Sequence, residues 1–182
     1  TLVWVDRQGR EQPIAAKPRA YHYPRLSPDD TKIALTIRDL EHDVWIWDLT
    51  RETIEKLTFG PALDQYTVWA PDSKRIIYGE FSGQFTASVF RRAIDGTGSI
   101  ERLTDAAAVE DLPQSLSADG KSLVCRQRPS SGGTVWDLTL LPLEPPSRDR
   151  RPQPLISTPS NKLNGEVSPD RRWIAYQSNE SG

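Results

Sequence analysis

One short motif occurs four times in this chain of 182 residues. Each copy has a polar turn containing aspartate, usually after serine and proline, and an apolar run follows it. The copies are RLSPDDTKIAL from Arg25, VWAPDSKRIIY from Val68, SLSADGKSLVC from Ser115 and EVSPDRRWIAY from Glu166. The turn residues Ser27, Ala70, Ser117 and Ser168 are 43, 47 and 51 residues apart. A repeat of this length with several short strands is typical of a β-propeller blade.

The turns and the runs after them predict their own geometry. Serine, proline and aspartate suit successive positions of a type I turn, and glycine suits the position after them. Only Gly120 supplies that glycine, so Asp30, Ser73 and Arg171 make the other turns less ideal. The apolar runs do not alternate with polar residues, which predicts strands buried on both faces. These runs are Ile33–Leu35, Ile76–Tyr78, Leu123–Cys125 and Ile174–Tyr176.

Two more strands complete each predicted blade. The third strands lie in DVWIWDL (43–49), TASVFRRAI (86–94) and TVWDLTLLPL (134–143), and the outer strands begin near Ile54, Ser99 and Pro152. No long stretch has helical periodicity, and we interpret DAAAVEDL (105–112) as a loop. The predicted fold is therefore all-β, a propeller of four-stranded antiparallel blades with about four blades in the chain.

The two ends of the chain resemble complementary halves of one blade. Residues 1–16 have the pattern of the two outer strands, and residues 161–182 have the pattern of the two inner strands. The whole blades are predicted at 20–60, 61–106 and 109–160. The halves could join within one molecule as a four-bladed ring, or between two molecules as a homodimer with a larger ring. The chain could also be an arc of a longer propeller. Closure within one molecule predicts that Arg25 and Glu166 approach each other.

The four turn-and-strand copies resemble the repeat of TolB-like β-propellers, bacterial relatives of the WD-repeat propellers. This resemblance covers essentially the whole chain. The segment LVWVDRQGREQPI and the later YPRLSPD are also similar to propeller segments of bacterial serine/threonine kinases. The resemblance implies a periplasmic or extracytoplasmic location. It is specific for the fold and weak for function, because propellers have many roles.

Composition narrows the classes of function. A net charge of −2 does not favour nucleic acid as a partner, and no apolar run approaches the roughly 20 residues of a membrane span. We expect neither nucleic-acid binding nor direct membrane contact. The single cysteine, Cys125, cannot form an internal disulfide. His22 and His42 lack metal-ligand spacing, and the repeated aspartates are explained by their turns, so we expect no metal and no cofactor.

Catalytic signatures are absent from the sequence. There is no G-x-S-x-G nucleophile motif and no kinase loop signature, so we predict a non-catalytic domain. The leading hypothesis is a scaffold or sensor that binds a protein or peptide. The alternatives are a propeller associated with a hydrolase and a ring that binds a small ligand or sugar. The six tryptophans could form a sugar-stacking platform, but their place within strands favours packing between blades.

The predicted binding site lies at one rim of the ring, where loops enter the innermost strands. Tyrosines on such a surface are good interface anchors, although these residues could also only cap the strands. Arg25 and Glu166 are placed beside this rim at the inner wall. The candidate binding residues are Tyr21, His22, Tyr23, Asp64, Gln65, Tyr66, Arg25 and Glu166.

Overall fold

A computed structural model describes residues 1–39, 42–83, 85–105, 109–129, 133–146 and 150–180. Over these residues the chain is all-β, with no helix. No segment in the described ranges forms a helix long and apolar enough to cross a membrane. The strands are β1 (Val3–Val5), β2 (Glu11–Pro13), β3 (Tyr21–Leu26), β4 (Lys32–Arg38), β5 (His42–Asp48), β6 (Thr53–Lys56), β7 (Leu63–Trp69), β8 (Arg75–Gly83), β9 (Thr86–Ala93), β10 (Glu101–Arg102), β11 (Val109–Leu116), β12 (Ser122–Pro129), β13 (Asp137–Pro142), β14 (Gln153–Ile156), β15 (Lys162–Val167) and β16 (Ile174–Ser178).

The strands pair in sequence order, as in propeller blades. Strands β3–β6, β7–β10 and β11–β14 each form an antiparallel set of four, here called blades 1, 2 and 3. A single parallel pair, Ala87 with Glu110, links β9 of blade 2 to β11 of blade 3. The N-terminal hairpin β1–β2 and the C-terminal hairpin β15–β16 are separate two-stranded sheets.

Three apolar layers hold neighbouring sheets together. The layer between blades 2 and 3 contains Val68, Ile77, Val89, Leu103, Leu123, Cys125, Leu141 and Leu143. The layer between blades 1 and 2 contains Ala34, Val44, Ile46, Leu57, Trp69, Ile76 and Tyr78. The layer between blade 1 and the N-terminal hairpin contains Leu2, Ala16, Ile33, Leu35, Ile37 and Trp47. Blades 1 and 2 are therefore covered by apolar layers on both faces, and hydrophobic burial stabilises the stack of sheets.

Burial of the second strands follows the sequence prediction in three blades. The runs Ile33–Leu35, Ile76–Tyr78 and Leu123–Cys125 are all at most 5% exposed. The fourth run is different, because Trp173 beside it is 68% exposed and Tyr176 is 43% exposed. The reason is that β16 lies in a two-stranded sheet and belongs to none of the three apolar layers that cover the other second strands. The prediction of two buried faces is wrong for this strand.

The predicted pairing of the chain ends is not present. Strand β1 pairs with β2, β16 pairs with β15, and β1 and β16 share no sheet. Each hairpin is instead positioned by the face of the blade beside it. Leu2 packs against blade 1, and Gly165 lies so close to blade 3 that a Cβ there would be 3.0 Å from Val124. This face packing does not require the two edges to meet.

A second correction concerns residues 105–112, interpreted from sequence as a loop. Val109 begins β11, so the last four residues of that segment are strand, whereas 106–108 lie outside the described residues. The segment was ambiguous because Glu110 and Asp111 interrupt the apolar pattern. Both acidic side chains are nevertheless buried, at 3% and 1% exposure. They have partners that sequence does not reveal: Arg128 for Glu110 and Gln127 for Asp111.

The four repeated turns share one backbone conformation. Their last residue has a positive φ in every copy, which L-amino acids other than glycine seldom adopt. In each turn its N–H donates a hydrogen bond to the carbonyl of the first residue, over 2.7–3.1 Å. The φ values are 57° for Asp30, 54° for Ser73, 72° for Gly120 and 61° for Arg171. All four turns therefore adopt the conformation that glycine favours, including the three that have another residue at this position.

The turns also contact one another at one end of the innermost strands, and we call this set the turn ring (residues 27–31, 70–74, 117–121 and 168–172). The N–H of Asp29 donates to Ser73 Oγ over 3.1 Å, and Arg171 forms an ion pair with Asp119. Within a turn, Ser117 Oγ donates to Asp119 and accepts from the N–H of Ser122. The repeated residues thus join the blades as well as shaping each turn.

Candidate functional site

The bulged middle parts of the innermost strands surround a cavity. Its volume is about 170 Å³, and all four innermost strands contribute to its wall. We call it the rim cavity. It is lined by Tyr23, Pro24, Arg25, Tyr66, Thr67, Pro113, Gln114, Arg126 and Asn164. None of these lining residues is acidic, and two of them are arginines.

A β-bulge in each innermost strand directs residues into the rim cavity. In β3, Tyr23 and Pro24 lie opposite one residue of β4, because His22 pairs with Thr36 and Arg25 pairs with Ala34. Equivalent register shifts occur in β7, β11 and β15. A bulge adds one residue to one strand and re-aims the side chains beside it. The sequence repeat therefore places one projecting side chain per sheet at the same height.

Three of these projecting residues have left-handed backbone conformations. The φ angles are 53° for Tyr23, 58° for Tyr66 and 53° for Asn164, whereas Pro113 takes the position in blade 3. Tyrosine in this conformation costs about 1–2 kcal/mol relative to ordinary backbone. Such strain persists only where the surrounding structure holds it, and it is concentrated at functional sites.

The tyrosines belong to a continuous ladder of aromatic rings and guanidinium groups. The Tyr23 and Tyr66 rings are 4.6 Å apart between centroids, and the Tyr23 hydroxyl lies 3.3 Å from that of Tyr66. Beyond Tyr66, the guanidinium of Arg126 lies 4.6 Å from its ring and 4.6 Å from the Trp136 ring. The ladder runs through Arg38, Tyr23, Tyr66, Arg126, Trp136, Arg128 and Phe85. The ladder contains residues of all three blades, so cation–π and aromatic contacts connect the blades around the cavity.

The Tyr66 hydroxyl is a proton donor at the cavity wall. Burial raises the pKa of Tyr66 above its ordinary value of 10, and the hydrogen bond with Tyr23 raises it further. The hydroxyl therefore keeps its proton at neutral pH. The guanidinium of Arg126 beside it is the charged hydrogen-bond donor of the cavity wall and suits an acceptor group on a ligand.

The predicted contact between Arg25 and Glu166 is present. Arg25 Nη2 lies 3.2 Å from Glu166 Oε1, which joins β3 to β15 across the axis. Both side chains are 51% exposed, so water screens the pair and it contributes at most about 1 kcal/mol to stability. Arg25 and Glu166 also line a second cavity of about 170 Å³ further along the axis. The innermost strands therefore converge even though the outer edges of the two hairpins stay apart.

Four other predicted residues lie behind the rim cavity. His22 is half-buried with its ring centroid 6.0 Å from Tyr23, and Gln65 accepts a hydrogen bond from Arg38 over 2.7 Å. Tyr21 packs in the layer towards the N-terminal hairpin, where its hydroxyl donates to the Lys17 carbonyl. Asp64 is 3% exposed between blades 1 and 2. The structure thus brings Tyr23, Tyr66 and Arg25 together at the cavity, whereas these four support the residues around it.

Sequence reasoning missed Arg126, one of the two arginines that line the cavity. It lies one position after the buried run of β12, in register with Leu112. The matching positions in the other sheets hold Thr36, Gly79 and Gln177. Arginine at a position where the other three copies have an uncharged residue was the feature of the sequence that could have identified Arg126. Gln114 was also missed, and its side-chain oxygen accepts the Asn164 N–H over 2.9 Å.

The tryptophans do not form a sugar platform in the channel. Trp47 and Trp69 are at most 7% exposed, as the packing hypothesis predicted, whereas Trp4 and Trp173 are exposed on the two hairpins. Trp136 is covered by arginines. In the described part of the chain no cluster of acidic, histidine or cysteine side chains could hold a metal ion.

Comparisons with known proteins identify relatives by structure and not by sequence. No protein-family model matches the chain, and no curated protein matches it by sequence. TolB from Acinetobacter baumannii superposes with a TM-score of 0.78 and 18% identity over 98% of this chain and 43% of its own length. A structure assigned to TolB of Agrobacterium tumefaciens gives 0.64 and 21%, covering 92% of this chain and 61% of its own. A prolyl endopeptidase structure gives 0.62 and 16%, covering 90% and 27%.

The chain spans less than two thirds of the length of each of these structures. Identities of 16–21% carry the fold and not the activity. The sheet order, the bulged innermost strands and these superpositions agree, and the chain has the TolB-like β-propeller fold.

Proposed function

We propose that this chain is a non-catalytic propeller that binds a peptide, or an extended segment of a protein partner, at the rim cavity. The observation that carries the proposal is the pair of strained tyrosines, Tyr23 and Tyr66, stacked 4.6 Å apart at that cavity. Their side chains leave Tyr23 38% exposed at the centre of a concave surface. Partly exposed aromatic residues in such a position are typical anchors of protein interfaces.

The size of the cavity favours a peptide. A volume of about 170 Å³ holds one or two side chains, whereas sites for whole small ligands usually have about 300–1,000 Å³. The exposed part of the surface continues from Tyr23 and Pro24 along the rim, so an extended segment could place one side chain in the cavity and lie across the rim.

Peptide display on the purified chain tests this proposal. A random heptapeptide library is selected on the wild-type protein, and the enriched peptides are measured against the double variant Tyr23→Ala/Tyr66→Ala. We expect binding to weaken at least tenfold, because the two rings form the anchor. Thermal unfolding confirms that the variant is folded, and Tyr66→Phe serves as a milder second variant.

A matched control uses an aromatic residue elsewhere. Tyr176 on the C-terminal hairpin is 43% exposed, close to the exposure of Tyr23, and Tyr176→Ala should leave binding unchanged. Failure to enrich any peptide, or enriched peptides that bind the double variant as tightly as wild type, would contradict the proposed site.

A second candidate is a propeller that serves a hydrolase domain. The structural similarity to a prolyl endopeptidase favours it. The 182 residues contain no G-x-S-x-G motif, so catalysis would need residues outside them. A hydrolase motif elsewhere in the same polypeptide, together with a loss of peptidase activity in Tyr23→Ala/Tyr66→Ala, would favour this function over the first.

We also propose that the two hairpins, which lie in separate sheets in this structure, can come together as a fourth blade, within one molecule or between two copies, and that the protein acts outside the cytoplasm. The Arg25–Glu166 contact supports completion within one molecule, because it already joins the first and last innermost strands. Light scattering tests it. A monomer mass supports closure in one molecule, a dimer mass supports a shared ring, and a concentration-dependent series of masses contradicts both.

A further inference from the structure

We propose that the rim cavity recognises a carboxylate of the bound peptide and that Arg126 is the residue that binds it. The carboxylate would belong to an aspartate or glutamate side chain or to the peptide C-terminus. This inference rests on the proposed function and specifies its ligand chemistry.

The charge of Arg126 is not balanced within the described part of the chain. Neighbouring arginines have acceptors: Arg128 pairs with Glu110 over 2.7 Å, and Arg25 pairs with Glu166. Arg126 makes no ion pair with any described acidic residue. Its side chain has the neutral Tyr66 hydroxyl as a hydrogen-bond partner, and its Nε is buried without one. A guanidinium that contacts only neutral groups keeps an uncompensated charge, so an anionic acceptor at its accessible edge would be favourable.

The two rings around Arg126 leave only one direction for that acceptor. Tyr66 and Trp136 cover the guanidinium at 4.6 Å each, so hydrogen bonds can form only at its edge. Part of that edge borders the rim cavity. The parallel N–H groups of a guanidinium edge match the two oxygens of a carboxylate, and a stacked guanidinium loses little freedom on binding.

The remaining wall of the cavity also suits an anion. Its lining contains no aspartate or glutamate that would repel a carboxylate. The Tyr66 hydroxyl beside Arg126 keeps its proton, so it adds no negative charge to the wall. The Gln114 side-chain oxygen is already occupied by the Asn164 N–H, so it does not compete for the guanidinium.

A first experiment tests Arg126 without any peptide. In ¹⁵N-labelled protein, the Nε–Hε signal of Arg126 is assigned by its loss in Arg126→Gln. Sodium acetate is then titrated against sodium chloride at the same ionic strength, with acetamide as a neutral probe of the same shape. We expect a saturable shift with acetate that chloride and acetamide do not produce. A signal that does not move with acetate would overturn the inference, whatever peptides bind.

A second experiment uses the displayed peptides, selected with free C-termini and, separately, embedded between flanking sequences. We expect enriched peptides with an acidic residue in both formats, or free C-termini alone if the terminal carboxylate is the group recognised. Replacing the acidic residue by its amide, or amidating the C-terminus, should weaken binding to wild type at least tenfold. The same change should have little effect on binding to Arg126→Gln, because the partner charge is already gone.

The outcomes separate this inference from the proposed function. Peptides that depend on Tyr23 and Tyr66 but not on their carboxylates or on Arg126 would uphold the function and overturn the inference. Arg126→Lys, which keeps the charge without the planar edge, should recover only part of the affinity. Full recovery in Arg126→Lys would contradict the paired hydrogen bonds, and full affinity in Arg126→Gln would contradict any role in binding.

Discussion

The turn ring follows the innermost strands and the rim cavity lies at the bulges within them, and both contain residues with positive φ. In the turn ring that conformation closes a hydrogen-bonded turn, as the Asp30 N–H does with the Ser27 carbonyl over 2.9 Å. At the rim cavity it belongs to a bulge, and the side chains of Tyr23 and Tyr66 are directed to the axis. The same backbone conformation therefore shapes the turns that join the blades in the turn ring and presents side chains to the rim cavity.

The acidic residues of the turn ring and those behind the rim cavity differ in their environment. Aspartates of the turn ring are exposed and accept hydrogen bonds from their own turns. The Ser117 hydroxyl and the Lys121 N–H hold the pKa of Asp119 below its ordinary value. Behind the rim cavity, Asp64 is buried and one of its oxygens has no hydrogen-bond partner. Burial raises the pKa of Asp64 to about 7, helped by the nearby acidic groups Glu80 and Asp43.

The largest expected effect uses this contrast in pKa. Between about pH 4 and pH 7, folded Asp64 binds a proton that the unfolded chain has lost, so the free energy of unfolding falls as pH rises. The slope is at most about 1.4 kcal/mol per pH unit and vanishes above about pH 7. Urea unfolding at pH 5, 6, 7 and 8 should show wild type losing stability relative to Asp64→Asn across this range.

Asp119→Asn is the matched control from the turn ring. The pKa of Asp119 is lowered, so its contribution to stability is present above pH 4 and is lost only as pH falls further. Its unfolding free energy should therefore run parallel to wild type from pH 5 to pH 8. Parallel curves for Asp64→Asn would show that Asp64 is ionised in the folded protein.

The next effect concerns the backbone of the turn ring. Gly120 has φ 72°, and a Cβ there would meet only Pro71 at an ordinary 3.5 Å, so the cost of a side chain is conformational. Gly120→Val should lower the free energy of unfolding by about 1–2 kcal/mol. Chemical denaturation measures it, with Lys121→Val as a control that should cost less than about 1 kcal/mol. The affinity of Gly120→Val for peptides at the rim cavity should be unchanged, and a tenfold loss would show that the turn ring and the rim cavity are coupled.

The smallest expected effect is a stabilisation. Ala118 is exposed where the other three turns have proline, namely Pro28, Pro71 and Pro169. Ala118→Pro should raise the free energy of unfolding by about 0.5 kcal/mol, because proline restricts the unfolded chain. Asp119→Pro, one residue later, should destabilise the protein because it forces its predecessor out of the helical region. Destabilisation by Ala118→Pro would mean that the third turn differs from its copies.

Sequence predicted the repeating part of this molecule much better than the part specific to it. The turns, the burial of three of the four second strands and the order of strands follow from local patterns, and the Arg25–Glu166 contact was predicted from the assumption that the first and last innermost strands are neighbours. The predicted pairing of β1 with β16 is absent from the structure, because complementary sequence patterns do not determine how two hairpins are placed. Arg126 was missed because its importance comes from Tyr66 and Trp136, which are distant in sequence.

The bulge has a consequence for how such a ring can change over time. Tyrosine and asparagine adopt the same left-handed backbone at equivalent bulges, and Pro113 occupies the corresponding position in blade 3, so the scaffold does not depend on which of these side chains it carries. Each innermost strand consequently has one bulge position at the cavity that accepts different side chains. New binding specificities can arise by single substitutions at these positions, while the residues of the turn ring continue to hold the sheets in place.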